Sequence, residues 1–308
     1  MSEKVDLSII FVGFNTAKYV KNCISTVLEF TKDISREIFF VDNNSPTEDW
    51  KIVEKNFSEV KLIKSEENTG FTGGNNIAMR KAKGRYVLLL NLDIEIKDNN
   101  IFKEMTSWMD KNSKVGISSC ALLNPDGSFQ GNGGYFPNLF RVFSWMTFLD
   151  DIPFIDRLIK PYHPMHSWSF YKGSNYFSKE RKQDWVTGAF FLIRREVMDK
   201  IGFLDEEYFA YVEETDYCYR AKKVGWENVY LPKWKITHFG QVSAGSEYAL
   251  VSEYKNLCLF YKKHMPKWEL PILKFLLKFG AFLRILIFGV IKGPKVAKTY
   301  AKAYKTIQ

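Results

Sequence analysis

The chain has 308 residues, 46% of them hydrophobic, enough for one large domain with an appendage or for two small domains. Its net charge of +9 is matched by residues 246–308 alone, where 12 Lys and Arg face 3 Asp and Glu; the other 245 residues balance to zero. The four cysteines, Cys23, Cys120, Cys218 and Cys258, are dispersed without a C-x-x-C pair, which excludes a disulfide frame and a cysteine zinc site and suits reduced thiols.

At the N-terminus the apolar run Leu7–Val12 is too short for a secretory leader and follows Glu3 and Asp6. Val5–Val12 reads as a buried strand, short and β-branched. From Ala17 to Thr31, apolar residues recur at helical spacing: Val20, Cys23, Ile24, Val27, Leu28. Glu37–Val41 predicts a second strand ending at Asp42, broken by Asn43-Asn44-Ser45-Pro46, with Thr47 placed to cap a helix to Asn56. Val60–Ile63 predicts a third strand. A Gly/Asn loop follows, then a short helix over Asn75–Lys83 stopped by Gly84. Tyr86–Leu90 is a fourth strand, almost wholly apolar.

Strands alternating with helices imply parallel βαβ units whose ligands bind beyond the carboxyl ends of the strands. Two strands end there in acidic clusters, at Asp42 and at Asn91-Leu92-Asp93. The stretch Asn124–Asp184 is irregular and rich in Gly and Pro, the character of a binding loop or lid. Trp185–Ile193 returns to strand character, and Glu213–Val224 reads as a helix ended by Gly225. Leu270–Ile291 is strongly apolar but contains Lys274, Lys278 and Arg284, a poor fit to a spanning helix. Lys267, Lys274, Lys278 and Lys292 share one helical sector opposite a broad Leu/Ile/Phe face, the pattern of an interfacial helix; a helical pair packed on the body is the alternative.

Several segments can carry chemistry, and each alone also fits an ordinary cap or turn. Asn68-Thr69-Gly70-Phe71-Thr72-Gly73-Gly74-Asn75-Asn76 lets backbone approach a ligand but matches neither the Walker pattern nor G-x-G-x-x-G. Asp93 ends the most apolar strand, a natural anchor for a hard cation beside phosphate oxygens. Glu213-Glu214-Thr215-Asp216 opens a helix, where the dipole favours carboxylates and one of them can serve as general base. His238, after Ile236-Thr237, can complete a metal shell.

Taken in order, these pieces resemble family 2 inverting glycosyltransferases of the GT-A fold, especially bacterial rhamnosyltransferase-like members. The resemblance spans Leu7 to Gly245. It rests on Ser8-Ile9-Ile10 with Asn15, Val41-Asp42-Asn43-Asn44-Ser45, the Asn68–Asn76 loop and Leu90-Asn91-Leu92-Asp93. It continues through Trp185-Val186-Thr187-Gly188-Ala189-Phe190, Arg194-Arg195, Gly202-Phe203-Leu204-Asp205-Glu206, Glu213–Asp216 with Arg220, and His238. It implies an α/β fold with a mostly parallel sheet flanked by helices. The catalytic domain would cover 1–245, with a nucleotide-sugar half to about 123 and an acceptor half over 124–245, and 246–308 would be a basic amphipathic extension.

The resemblance also implies roles. Asp42 would accept the N3–H of uracil or thymine, in a donor-nucleotide site with Asn15, Asn44, Gly70, Asn75 and Asn91. Asp93, with His238, would hold Mg²⁺ or Mn²⁺ against the diphosphate of a dTDP- or UDP-sugar, with rhamnose the first choice. Glu214, or alternatively Glu213, would deprotonate the hydroxyl of a saccharide or lipid-linked acceptor, in a sugar-binding region with Trp185, Gly188, Ala189 and Asp216. The family's first metal-motif acid is replaced by Asn91, and its usual Asp base by Glu214. Asn91 keeps a non-catalytic sugar-nucleotide binder in view. A sugar-nucleotidyltransferase fits less well, because Val12-Gly13-Phe14-Asn15-Thr16 lacks its Gly-rich basic loop. The apolar face of the tail favours an anionic membrane surface over nucleic acid, which suggests a cytoplasmic protein bound peripherally to the inner face of the cell membrane.

Overall fold

The computed structural model describes residues 5–153, 155–165, 175–240 and 245–308. The expectation resting on Glu3, and part of the irregular stretch 124–184, lie outside these residues.

Strand β1 (Leu7–Gly13) is buried along nearly its whole length and is followed by α1 (Ala17–Phe30), which turns Val20, Cys23, Ile24 and Val27 into the core. Next come β2 (Arg36–Asp42), α2 (Asp49–Asn56) and β3 (Val60–Lys64). The Gly/Asn segment expected as a loop is instead the first turns of α3 (Gly70–Met79). Gly70 has φ +73°, and a Cβ there would lie 2.2 Å from the Phe209 carbonyl oxygen. A Cβ on Gly74 would lie 2.6 Å from Val12 Cγ1. The glycines therefore let a helix lie directly on β1, which outweighs their poor helix propensity.

The chain continues through β4 (Tyr86–Leu90), β5 (Ile94–Ile96), α4 (Ile101–Lys111) and β6 (Val115–Leu123). Helices α5 (Leu139–Met146) and α6 (Ile155–Ile159) occupy part of the stretch read as irregular. Then follow β7 (Arg181–Gln183), β8 (Phe190–Arg194), α7 (Arg195–Ile201), α8 (Glu213–Lys223) and β9 (Glu227–His238). The chain ends in α9 (Gly245–His264), α10 (Glu269–Ile291) and α11 (Pro294–Thr306).

The sheet runs β3-β2-β1-β4-β8-β6-β9-β5, with β7 beside β9. β3, β2, β1 and β4 are parallel, as the βαβ reading requires. β6 and β9 run the same way as these four, so the sheet is mostly parallel, and β5, β7 and β8 run against them. It follows that β1, β2, β4, β6 and β9 all end at one edge, and β8 begins there. Arg194 and Arg195 are structural. Arg194 donates to the carbonyls of Met109 and Asn112 at the end of α4 and of Val115 at the start of β6, and Arg195 to those of Ala82 and Gly84.

The described residues form two compact units. The first comprises 5–132, 175–209 and 213–240 and holds the whole sheet. The second comprises 133–153, 155–165, 210–212 and 245–308. The tail from 245 thus shares its unit with 133–153, 155–165 and 210–212. The physical reason is α10, which packs on α5. Arg284, 3% exposed, donates to the carbonyls of Trp145, Met146 and Gly280 and lies over the Phe148 ring. A cluster of Trp145, Tyr162, His163 and Tyr254 rings completes this core. No helix among the described residues is long and apolar enough to cross a membrane.

Candidate active site at the carboxyl edge of the sheet

Asp42 closes β2 and is 4% exposed. Its Oδ2 accepts from the Ser45 backbone N–H at 3.2 Å, while Oδ1 is buried with no hydrogen-bond partner among the described residues. Burial pushes this carboxyl above the ordinary carboxylate range, against the pull of the Ser45 N–H. The loops around it are tightly held. Asn15 and Asn44 take left-handed φ values of 56° and 58°, and the Asn15 N–H donates to Ser45 Oγ at 2.8 Å. Thr16 donates through N and Oγ1 to the fully buried Asp49. Asn43 links β2 to α3: it donates to Asn68 Oδ1 and the Gly70 carbonyl, and accepts from Thr69 N and Oγ1.

One strand further along, Asn91 and Asp93 follow β4. Asp93 Oδ1 lies 3.5 Å from His238 Nε2, and Asn91 Nδ2 lies 3.3 Å from the same nitrogen. Backbone pairing fixes the meeting: Ile94 pairs with His238, and the Phe239 N–H donates to the Asp93 carbonyl at 2.9 Å. The other ring nitrogen, Nδ1, is 2.9 Å from Gln130 Oε1. No group of three His, Cys, Asp or Glu side chains that could hold a metal occurs among the described residues. The donor set still fits Mg²⁺ or Mn²⁺: one carboxylate and one imidazole converge, and such ions normally complete their shell with phosphate oxygens and water.

The segment before β8 closes this edge. The Asn91 N–H donates to the Ala189 carbonyl at 3.0 Å, and the Thr187 N–H donates to Asn132 Oδ1. Trp185, Gly188 and Ala189 are buried, and a Cβ on Gly188 would press on the Phe71 ring at 3.1 Å. The chain enters α8 through Tyr211 and Val212, at φ 70° and 73°, a costly conformation for a β-branched residue. Glu213 is 4% exposed and Glu214 half-buried. Burial first, and the charge of Glu214 second, raise the Glu213 carboxyl well above the ordinary range.

The strand-end reading thus brings Asn91, Asp93 and His238 into one cluster, with Asp42 at the same edge. Two other residues turn inward. The Asn75 side chain donates to the Phe71 carbonyl of its own helix. Asp216, fully buried, pairs with Arg220 at 2.7 Å, and Arg220 also donates to the carbonyls of Ile201 and Phe203. Gln130 and Asn43 carry more of the site's geometry than their sequence positions suggest. For Asn43 the signal was its place beside Asp42; for Gln130 there was none, since its partner His238 is 108 residues away.

Residues 8–202 match the family model Glycosyl transferase family 2. Among curated proteins, the chain is 22% identical to an N-acetylglucosaminyl-diphospho-decaprenol L-rhamnosyltransferase of Mycobacterium tuberculosis, over 86% of this chain and 87% of that one. It is 25% identical to the low-salt glycan biosynthesis hexosyltransferase Agl10 of Haloferax volcanii, over 94% and 91%. Among solved structures it resembles the mannosyltransferase PcManGT of Pyrobaculum calidifontis in complex with GDP-Man and Mn²⁺. That match has a TM-score of 0.58 and 14% identity, over 99% of this chain and 85% of that one, a likeness of fold.

Proposed function

The chain belongs to glycosyltransferase family 2, and from that premise we propose that it transfers a sugar, rhamnose first among candidates, from a dTDP- or UDP-sugar to a hydroxyl of a lipid-linked glycan. The observation that carries the donor choice is the buried Asp42 Oδ1, an acceptor without a partner. Uracil and thymine offer an imide N3–H to such an oxygen, and the cytosine ring does not. Asp93 and His238 would hold Mg²⁺ or Mn²⁺, which supplies positive charge beside the diphosphate leaving group.

Glu214 takes the proton of the acceptor hydroxyl as its oxygen bonds to the anomeric carbon. The bond to the diphosphate breaks in line, and the configuration inverts. Glu213, whose carboxyl is raised by burial, is the poorer candidate for an ionised base. The lipid-linked acceptor is supported by the mycobacterial relative's named substrate and by α10. That helix exposes Ile272, Phe275, Phe279, Phe282, Leu286 and Val290 at spacings of three and four, one apolar stripe beside Lys274 and Lys278. Such a stripe within a +9 tail suits the surface of an anionic membrane.

Calorimetry with UDP, dTDP, GDP and CDP in the presence of Mn²⁺ tests the donor reading. UDP or dTDP should bind most tightly, and Asp42→Ala should remove the preference. Tighter binding of GDP or CDP than of both others overturns it.

A further inference from the structure

We propose that Gln130 is a positioning residue that fixes the His238 imidazole in the one tautomer able to bind a metal through Nε2. The inference rests on the metal reading of the Asp93–His238 pair given above. Gln130 follows β6 on a backbone fixed by its N–H donating to the Leu122 carbonyl at 2.8 Å. Its side chain grips one residue twice. Nε2 donates to the His238 backbone carbonyl at 2.6 Å, and Oε1 lies 2.9 Å from His238 Nδ1.

The protonation pattern follows from valence. A backbone carbonyl can only accept, so the amide nitrogen must be the end facing it, and Oε1 must face the ring. An amide oxygen can only accept, so Nδ1 must carry the hydrogen. A neutral imidazole has one N–H, which leaves a lone pair on Nε2. That lone pair faces Asp93 Oδ1 at 3.5 Å. Two acceptors turned toward each other repel, and the amide donor of Asn91 at 3.3 Å is a weak remedy. A divalent cation held by both removes the conflict. Metal-binding histidines commonly donate their second N–H to an oxygen that sets ring orientation and basicity, and losing that oxygen typically costs roughly 10–100-fold in metal affinity.

The test uses ¹⁵N-histidine-labelled full-length protein and manganese titration by electron paramagnetic resonance in the presence of UDP. Metal-free wild type should show the Nδ1–H tautomer for His238, assigned with His238→Gln. Gln130→Met, close in shape but without hydrogen bonds, should populate the Nε2–H tautomer. It should weaken manganese binding about 10–100-fold and leave metal-free UDP binding unchanged. Gln130→Glu, which keeps an oxygen for the Nδ1–H, should bind manganese at or above the wild-type level. A wild-type Nε2–H tautomer overturns the proposal, and so does wild-type manganese affinity in Gln130→Met. Wild type that binds no manganese overturns the metal reading itself. Should Gln130→Met fail to fold, the wild-type tautomer and the Glu variant still decide.

Discussion

Glu213 and Glu214 open α8 side by side in different surroundings, one buried with its carboxyl raised by that burial, the other half-buried. A base must be ionised before it can take a proton, so the roles divide by environment. Glu214→Gln is expected to lower turnover by about a hundredfold or more, with donor affinity nearly unchanged in calorimetry. Glu213→Gln should cost much less, because an amide resembles the protonated acid. Its pH behaviour checks the same assignment. A carboxyl whose pKa is raised on folding contributes stability that is full below the unfolded value and lost as pH rises through the folded value. Melting temperature against pH should therefore be flatter in Glu213→Gln than in wild type. A larger kinetic loss for Glu213→Gln moves the base to that residue. At this scale the residues legible in sequence were those ending apolar strands: Asp42, Asp93 and His238. Asn75 and Asp216 share the same motifs but spend their side chains on Phe71 and Arg220. Motif membership cannot tell an inward polar group from a ligand-facing one.

Among elements, β1 to β4, α1, α2 and α8 were read from periodicity within a few residues, while β6, β9 and α4, strand direction and the glycine-rich segment were not. Hydrophobic period does not encode strand direction, so antiparallel β8 between β4 and β6 was invisible. Glycine propensity argued for a loop at residues 70–74, where close packing on Val12 and Phe209 makes a helix. Arg284 counted in sequence only as a charge that fits a spanning helix poorly; it is buried and donates to carbonyls at the end of α5. Removing it takes the guanidinium donor from both carbonyls, and Trp145 keeps the Phe148 N–H at 3.4 Å. Arg284→Met is expected to lower stability by about 1–3 kcal/mol, measured by urea unfolding. Arg284→Lys should recover little of this, because an ammonium cannot span carbonyls as the guanidinium fork does. Wild-type stability in Arg284→Met removes this account of how α10 is fixed on α5.

Across the whole molecule, charge and apolar exposure coincide. Residues 246–308 hold an excess of nine positive charges, and α10 within them carries six exposed apolar side chains in one stripe. The sequence located the lysines but merged two apolar faces into one. Leu273, Leu277, Gly280, Ala281 and Phe288 are buried, and the stripe from Ile272 to Val290 lies apart from them. A soluble surface rarely keeps such a stripe without a use. Bilayer docking would bury it at about 1.5–3 kcal/mol for each fully buried Phe, while each Lys near anionic headgroups adds about 1 kcal/mol. The two contributions separate experimentally. Full-length protein should pellet with vesicles containing phosphatidylserine or phosphatidylglycerol, and less with neutral ones. The double variant Phe279→Asp/Phe282→Asp should lose at least about tenfold in binding, even at low salt. Lys274→Gln/Lys278→Gln should keep its residual binding at high salt, because screening weakens only the charge contribution. Pelleting of the Asp variant equal to wild type would mean that the stripe does not touch lipid, and a membrane role would then rest on the lysines alone.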